Sequence, residues 1–152
     1  MRDVNASITI ARPRADVARF AMNPDNDTRW IGGIVEARLV GDPPLELGTT
    51  VARVAKFLGR RIDYVLEVVG YEPDALLDMR SIKAPFPMRV TYRFSDGDGD
   101  GDGDTRVDLD VGGNPGWFFR LAGPLVARSL RKNIEKDLAR LKACLEGQAG
   151  RD

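Results

Sequence analysis

The stretch VARVAKFLGRRIDYVLEVV, residues 51–69, contains two runs in which apolar and polar side chains alternate around a single glycine. Alternation with a period of two is typical of strands that bury one face of a sheet. A two-residue turn at Gly59-Arg60 would join the two runs as an antiparallel hairpin. That turn predicts that Arg53 lies opposite Leu66, on a face that is otherwise apolar.

Similar alternating runs on both sides of this hairpin predict a larger antiparallel sheet. The runs are separated by short turns rich in Gly, Pro and Asp, which favour antiparallel pairing of consecutive strands. The predicted strands are residues 4–10, 34–40, 49–58, 61–71, 76–82, 88–95 and 105–111.

The acidic run SDGDGDGDGDT, residues 95–105, partly matches the spacing of a calcium-binding loop. An EF-hand loop needs a closing Glu at position 12, and the two registers that fit the aspartates place Val107 or Leu109 there. The flanking runs alternate as strands and not as helices. We therefore predict the tip of a hairpin between the last two strands, and no metal site.

Start signals for helices occur three times, at Pro13, at Asn23-Pro24 and at Asn114-Pro115. Pro13 and the pair Asn23-Pro24 predict two short helices between the first two strands, the second ending at Trp30. After Leu125, apolar residues recur every three or four positions, which predicts one long amphipathic helix that covers the inner face of the sheet. Gly123-Pro124 is expected to break or kink this helix. The order of elements predicts an α+β fold with a single sheet.

The segments ITIARPRADVARFAMNPDNDTRW, TYRFSDGDGDGDGDTRVDLDV and PLVARSLRKNIEKDLARLKACLE resemble the START-like (SRPBCC) superfamily, which includes birch-pollen-allergen-like and polyketide cyclase/dehydrase-like proteins. The resemblance implies a helix-grip fold, in which a curved seven-stranded antiparallel sheet wraps around the C-terminal helix. It covers residues 1–146 as one domain, and we expect residues 147–152 to form a flexible tail. It also implies an apolar cavity that holds lipids, polyketides, aromatic compounds or plant hormones.

Composition excludes several classes of chemistry. The 152 residues include no histidine, which rules out Ser-His-Asp and Cys-His catalysis and His-containing zinc sites. The single cysteine, Cys144, cannot form an internal disulfide, which favours a cytoplasmic location. The net charge is zero, so we expect no nucleic-acid partner. No apolar run is long enough for a membrane span, and we expect neither a signal peptide nor a cofactor.

Arg53 is the most informative single residue, because a buried and unpaired guanidinium is too costly to leave unsatisfied. One interpretation is that it anchors a carboxylate, phenolate or enolate of a ligand. The other is structural: Arg53 reaches water at the sheet end or pairs with an internal acid. Tyr64, Ser81 and Tyr92 bring three hydroxyl groups to the same predicted face, where each needs a partner.

The leading hypothesis is binding, and transport, of a small hydrophobic or aromatic molecule between the sheet and the C-terminal helix. The alternative is a cyclase or dehydratase that acts on an aromatic or polyketide substrate without histidine or metal. A third class is an interaction protein that meets a protein or membrane surface through its basic C-terminal helix or its aromatic residues. Whether the chain is a monomer or a homodimer stays open. Trp30, Trp117 and Phe118 either pack in the core or form the mouth of the cavity. The predicted ligand-binding residues are Arg53, Tyr64, Leu66, Met79, Ser81, Tyr92, Phe94, Trp30, Trp117, Phe118, Leu130 and Ile134.

Overall fold

The computed structural model describes residues 4–57, 59–85, 87–97, 103–112 and 116–149, and gives no side chains for 57, 116–127, 148 and 149. Within these ranges, seven strands form one antiparallel sheet in the order β1-β7-β6-β5-β4-β3-β2. The strands are β1 (Val4–Ile10), β2 (Ile34–Val40), β3 (Thr50–Phe57), β4 (Arg60–Glu72), β5 (Leu76–Lys83), β6 (Arg89–Asp96) and β7 (Thr105–Gly112). The helices are α1 (Arg14–Ala21), α2 (Asp27–Trp30) and α3 (Gly116–Ala149), with a 3-10 turn at Pro24–Asn26.

This architecture confirms the predicted α+β helix-grip fold: the curled sheet forms a half-barrel around the long C-terminal helix. The two short helices also lie where the start signals placed them. Pro13 immediately precedes α1, and the Asn23 side chain accepts a hydrogen bond from the backbone N–H of Asp25 at 3.0 Å. That bond caps the 3-10 turn that leads into α2.

The pairing of β3 with β4 differs from the predicted register by two residues. Phe57 pairs with Arg60 and Arg53 pairs with Tyr64, so the turn lies one residue earlier than Gly59-Arg60 and the prediction of Leu66 opposite Arg53 is wrong. Gly59 has φ +78°, a left-handed conformation that glycine adopts without steric cost. Because the shift is an even number of residues, each side chain keeps its predicted face.

The last two strands pair outward as far as Asp96 and Thr105, which confirms that the Asp-Gly run connects them as a hairpin. Residues 98–102 of that run lie outside the described residues. Within the described ranges, no group of three or more His, Cys, Asp or Glu side chains could hold a metal ion.

The predicted apolar stripe of α3 lies in the hydrophobic core against the sheet. The most buried of its described side chains are Ile134, Leu138, Leu141 and Leu145. The helix is continuous through residues 123–124, so of the two expected outcomes, a break or a kink, the break is wrong. One proline removes a single i→i−4 hydrogen bond, and the neighbouring turns keep the helix intact. Residues 147–149, expected in the tail, are the last residues of α3. No described helix is long and apolar enough to cross a membrane.

The two edge strands of the sheet have different surroundings. The end of α3 covers β1 and the residues that follow it: Lys142 Nζ donates a hydrogen bond to the Thr9 carbonyl at 2.9 Å, and the Ala11 N–H donates to Glu146 Oε2 at 2.9 Å. The other edge is β2, which among the described strands pairs only with β3.

Candidate functional site

Arg53 lies at the centre of a buried polar chain that links α2 to the inner face of the sheet. Its side chain is 5% exposed, and its Nε donates a hydrogen bond to Asp27 Oδ2 at 3.0 Å. Its Nη2 lies 2.9 Å from the same carboxylate oxygen and donates to the Tyr92 hydroxyl at 3.0 Å. The internal acid that the structural interpretation of Arg53 required is therefore Asp27, which the sequence analysis did not single out.

The electrostatics of this chain follow from its burial. Burial raises the pKa of Asp27, although the positive charge of Arg53 opposes that shift. Burial also disfavours a charged guanidinium, but Tyr92 and Asp27 outweigh this and hold the pKa of Arg53 well above its usual range. Burial raises the pKa of Tyr92 to about 12, again against the effect of Arg53. At neutral pH, Arg53 is therefore a permanent cation beside a phenol that keeps its proton.

Trp30 lies one helical turn after Asp27 and packs against the aromatic ring of Tyr92. It is 1% exposed, and its ring meets that of Tyr92 edge-on with a centroid separation of 5.8 Å. Its indole Nε1 is buried and has no hydrogen-bond partner among the described residues. Because the indole N–H is a donor only, this atom needs an acceptor oxygen or nitrogen.

Two contacts from α3 fix the position of α2 and hence of Trp30. The Gly32 N–H donates to Asp137 Oδ1 at 2.9 Å, and Arg140 Nη1 donates to the Trp30 carbonyl at 3.2 Å. Burial raises the pKa of Asp137, and the hydrogen bond from Gly32 opposes that shift. These contacts from α3 to the backbone at Trp30 and Gly32 thus help to keep the indole packed against the sheet.

Most of the other predicted site residues share this interior. The buried members are Tyr64, Leu66, Met79, Phe94 and Ile134, and Leu130 is half-buried. Tyr64 pairs directly with Arg53 across the strands, and the ring of Phe94 meets that of Tyr92 at 6.4 Å.

Three predicted residues are not brought into the cluster by any described contact. The Ser81 hydroxyl accepts a hydrogen bond from the Met88 N–H at 2.9 Å, so it supports the connection between β5 and β6. The side chains of Trp117 and Phe118 are not among those described, so their packing in the core or at a cavity mouth stays a prediction.

One signal in the sequence points to the missed residue, Asp27. Asp27 and Trp30 are three positions apart in the run DTRW, so in a helix they share one face. If Trp30 packs into the core, Asp27 on the same helix face is therefore buried as well. A buried arginine needs a buried acid of this kind as its counter-charge.

Comparison with known proteins identifies the class of this chain. The family model described as "Polyketide cyclase / dehydrase and lipid transport" matches residues 1–146, and the chain belongs to this family. No match is found among curated proteins. Membership of this family supports binding of a hydrophobic ligand.

Solved structures with the same fold have low sequence identity to this chain. TTHA0849 from Thermus thermophilus is 20% identical with a TM-score of 0.74, and the match covers 93% of this chain and 94% of that one. A START superfamily protein from Mycobacterium smegmatis is 12% identical with a TM-score of 0.65, covering 98% and 97%. The di-domain ARO/CYC protein BexL of the BE-7585A biosynthetic pathway is 18% identical with a TM-score of 0.68, covering 96% of this chain and 47% of BexL. At these identities the likeness shows a shared fold.

Proposed function

We propose that this protein binds, and carries, a small hydrophobic or aromatic molecule between the inner face of its sheet and α3. The family match supports this function, and so does the composition of that face. Leu66, Met79 and Phe94 supply apolar surface, while Arg53 and Tyr92 supply a few fixed polar groups. Pockets for small molecules are mostly apolar, with a small number of placed polar groups that orient the ligand.

The observation that carries the proposal is the buried indole N–H of Trp30. A buried donor without an acceptor costs free energy, since it loses its hydrogen bond to water. Trp30 is nevertheless held in place by α3 and packed against Tyr92. An acceptor atom of a bound molecule would satisfy it, so the preferred guest is an apolar body that bears a carbonyl, ether or hydroxyl oxygen.

Arg53 then has a double role in the proposed site. Its pairing with Asp27 keeps the charge in the interior, and its bond to the Tyr92 hydroxyl orients the phenol. We propose that Arg53 and Tyr92 together form the polar side of the pocket, and that an anionic or strongly polar atom of the ligand binds there.

Native mass spectrometry of the freshly purified protein tests this function, followed by fluorescence titration with aromatic ketones and fatty acids. We expect a small molecule that co-purifies at one per chain and saturable binding of at least one probe class. A spectrum with the bare protein alone, together with no saturable binding of any probe, would exclude the proposal.

A second candidate is a cyclase or dehydratase that acts on an aromatic or polyketide substrate. The contact between Arg53 and Tyr92 favours it, because a cation can stabilise an enolate while a neighbouring phenol donates a proton. The test is incubation with a poly-β-ketone thioester and detection of the dehydrated product. Turnover that is lost in Tyr92→Phe would establish the enzyme, and unchanged substrate would exclude this reaction.

We also infer a cytoplasmic location, supported by the free thiol of Cys144. The location is tested by comparing the extent to which Cys144 is alkylated in intact cells with the extent in the purified and fully reduced protein. We also propose that the protein forms a homodimer.

A further inference from the structure

The outer edge of β2 presents free backbone groups. The Lys56 N–H donates to the Gly33 carbonyl at 2.8 Å, so the even-numbered residues of β3 direct their backbone groups toward β2. In an antiparallel pair these groups bond to the residues directly opposite, which include Glu36 and Arg38. The odd-numbered Ala37 therefore directs its N–H and C=O away from the sheet, where no described residue binds them.

Exposed apolar side chains are concentrated at the same edge. Four large apolar residues of the described chain are exposed: Val35 at 49%, Val40 at 42%, Leu47 at 64% and Ile82 at 53%. Val35 and Val40 lie on β2, and Leu47 lies in the connection from β2 to β3. A strand that has one open edge and also carries exposed apolar surface is suited to pairing with another strand.

The charges on β2 indicate which strand would pair with its open edge. Glu36 and Arg38 are both exposed and lie one residue on either side of Ala37. Neither makes an ion pair with any other described residue. If two copies of β2 pair antiparallel about a two-fold axis at Ala37, Glu36 of each copy lies directly opposite Arg38 of the other. Opposite charges directly across two strands stabilise the pair, whereas like charges destabilise it.

We propose that this protein forms a symmetric homodimer in which the β2 strands of two copies pair about Ala37 and join the two sheets into one. The other edge is less open, because Lys142 and Glu146 of α3 bond the Thr9 carbonyl and the Ala11 N–H at the end of β1. A register irregularity between Ile34 and Glu36 keeps the regular ladder short. The interface is thus small, and we expect dissociation in about the micromolar range.

The proposal is tested by analytical ultracentrifugation, which measures how strongly the full chain dimerises across a wide concentration range. Wild type is compared with variants in which one charge on β2 is reversed. Arg38→Glu places two glutamates opposite each other in the dimer, and Glu36→Lys places a lysine opposite an arginine. Each variant is expected to dimerise at least about tenfold more weakly than wild type, since both symmetric pairs change from attraction to repulsion. An equimolar mixture of the two variants restores both pairs, so it should form a heterodimer about as tight as the wild-type dimer.

Glu72→Lys is the matched control, because it makes the same change of charge on an exposed residue at the far end of β4. It should dimerise like wild type, and circular dichroism should show that all variants are folded. A wild-type protein that stays monomeric at every concentration overturns the proposal. So does a dimer that both charge reversals leave unchanged, or a mixture of the two variants that fails to associate. The result does not depend on which ligand the interior binds.

Discussion

The guanidinium of Arg53 lies 2.9 Å from the carboxylate of Asp27 in the protein interior, although the two residues are 26 positions apart along the chain. This pair joins a four-residue helix to β3, the strand next to the β2 edge of the sheet. Since Asp27 and Trp30 share a face of that helix, the ion pair also fixes where the indole meets Tyr92. The geometry of the candidate site therefore depends on a buried charge that is correctly paired.

Removal of one partner of this pair should destabilise the fold strongly. Arg53→Met and Asp27→Asn are each expected to cost about 3–5 kcal/mol in the free energy of unfolding, because each leaves the other group without its counter-charge. The double variant should cost less than the sum of the two single variants. Urea denaturation of all four proteins measures this, and strictly additive costs would show that the two side chains do not interact.

Loss of the Tyr92 hydroxyl should lower the stability of the fold, because Arg53 loses a hydrogen-bond acceptor. Tyr92→Phe keeps the ring and its contacts with Trp30 and Phe94 but removes a hydrogen bond to a charged group, which should cost about 1.5–3 kcal/mol. Tyr64→Phe is the matched control, because among the described residues no hydrogen bond to the Tyr64 hydroxyl is present. It should cost less than about 1 kcal/mol. Equal losses in the two variants would contradict the role given to Tyr92.

The grip of α3 on the sheet depends on its apolar stripe. Ile134→Asp places an unpaired charge in the hydrophobic core, and we expect no folded soluble protein. Lys136→Asp, two residues away on the exposed side of the same helix, should yield a folded protein. Expression of both variants and near-ultraviolet dichroism provide the comparison. A native spectrum for Ile134→Asp would show that the stripe is assigned to the wrong face.

Acid should weaken the contact between α3 and the β1 edge. The N–H of Ala11 and the ammonium group of Lys142 hold the pKa of Glu146 below its usual value of 4.5. A carboxyl group with a lowered pKa in the folded state contributes stability above its unfolded-state pKa and loses it as pH falls through the folded-state value. The stability advantage of wild type over Glu146→Gln should thus be constant above about pH 6 and shrink below about pH 4.5. Denaturant melts across this range measure it, and an advantage that grows in acid would contradict the assignment.

Much of the fold was predictable because its signals are local. Alternation located all seven strands to within one or two residues, and the spacing of apolar residues located the buried face of α3. The turn after β3 was misplaced by one residue, because the single glycine Gly59 fits either of two adjacent turn positions. The partner of Arg53 was not predicted, because the DTRW spacing shows only that Asp27 shares a face with Trp30, while the burial of that face depends on contacts between α2 and α3.

The central claim is that the interior binds an apolar molecule through an acceptor atom at Trp30, and two matched ligands test it most directly. Titration with 2-acetylnaphthalene and with 2-ethylnaphthalene compares a ketone with a hydrocarbon of nearly the same shape, in wild type and in Trp30→Phe. Both should bind wild type, and the preference for the ketone should fall by about 2- to 10-fold in Trp30→Phe, the scale of one net hydrogen bond. Any loss of packing at position 30 would weaken the binding of both ligands alike, so it would not change the ratio of their affinities. Failure of wild type to bind either ligand, or an unchanged preference in Trp30→Phe, would contradict the account.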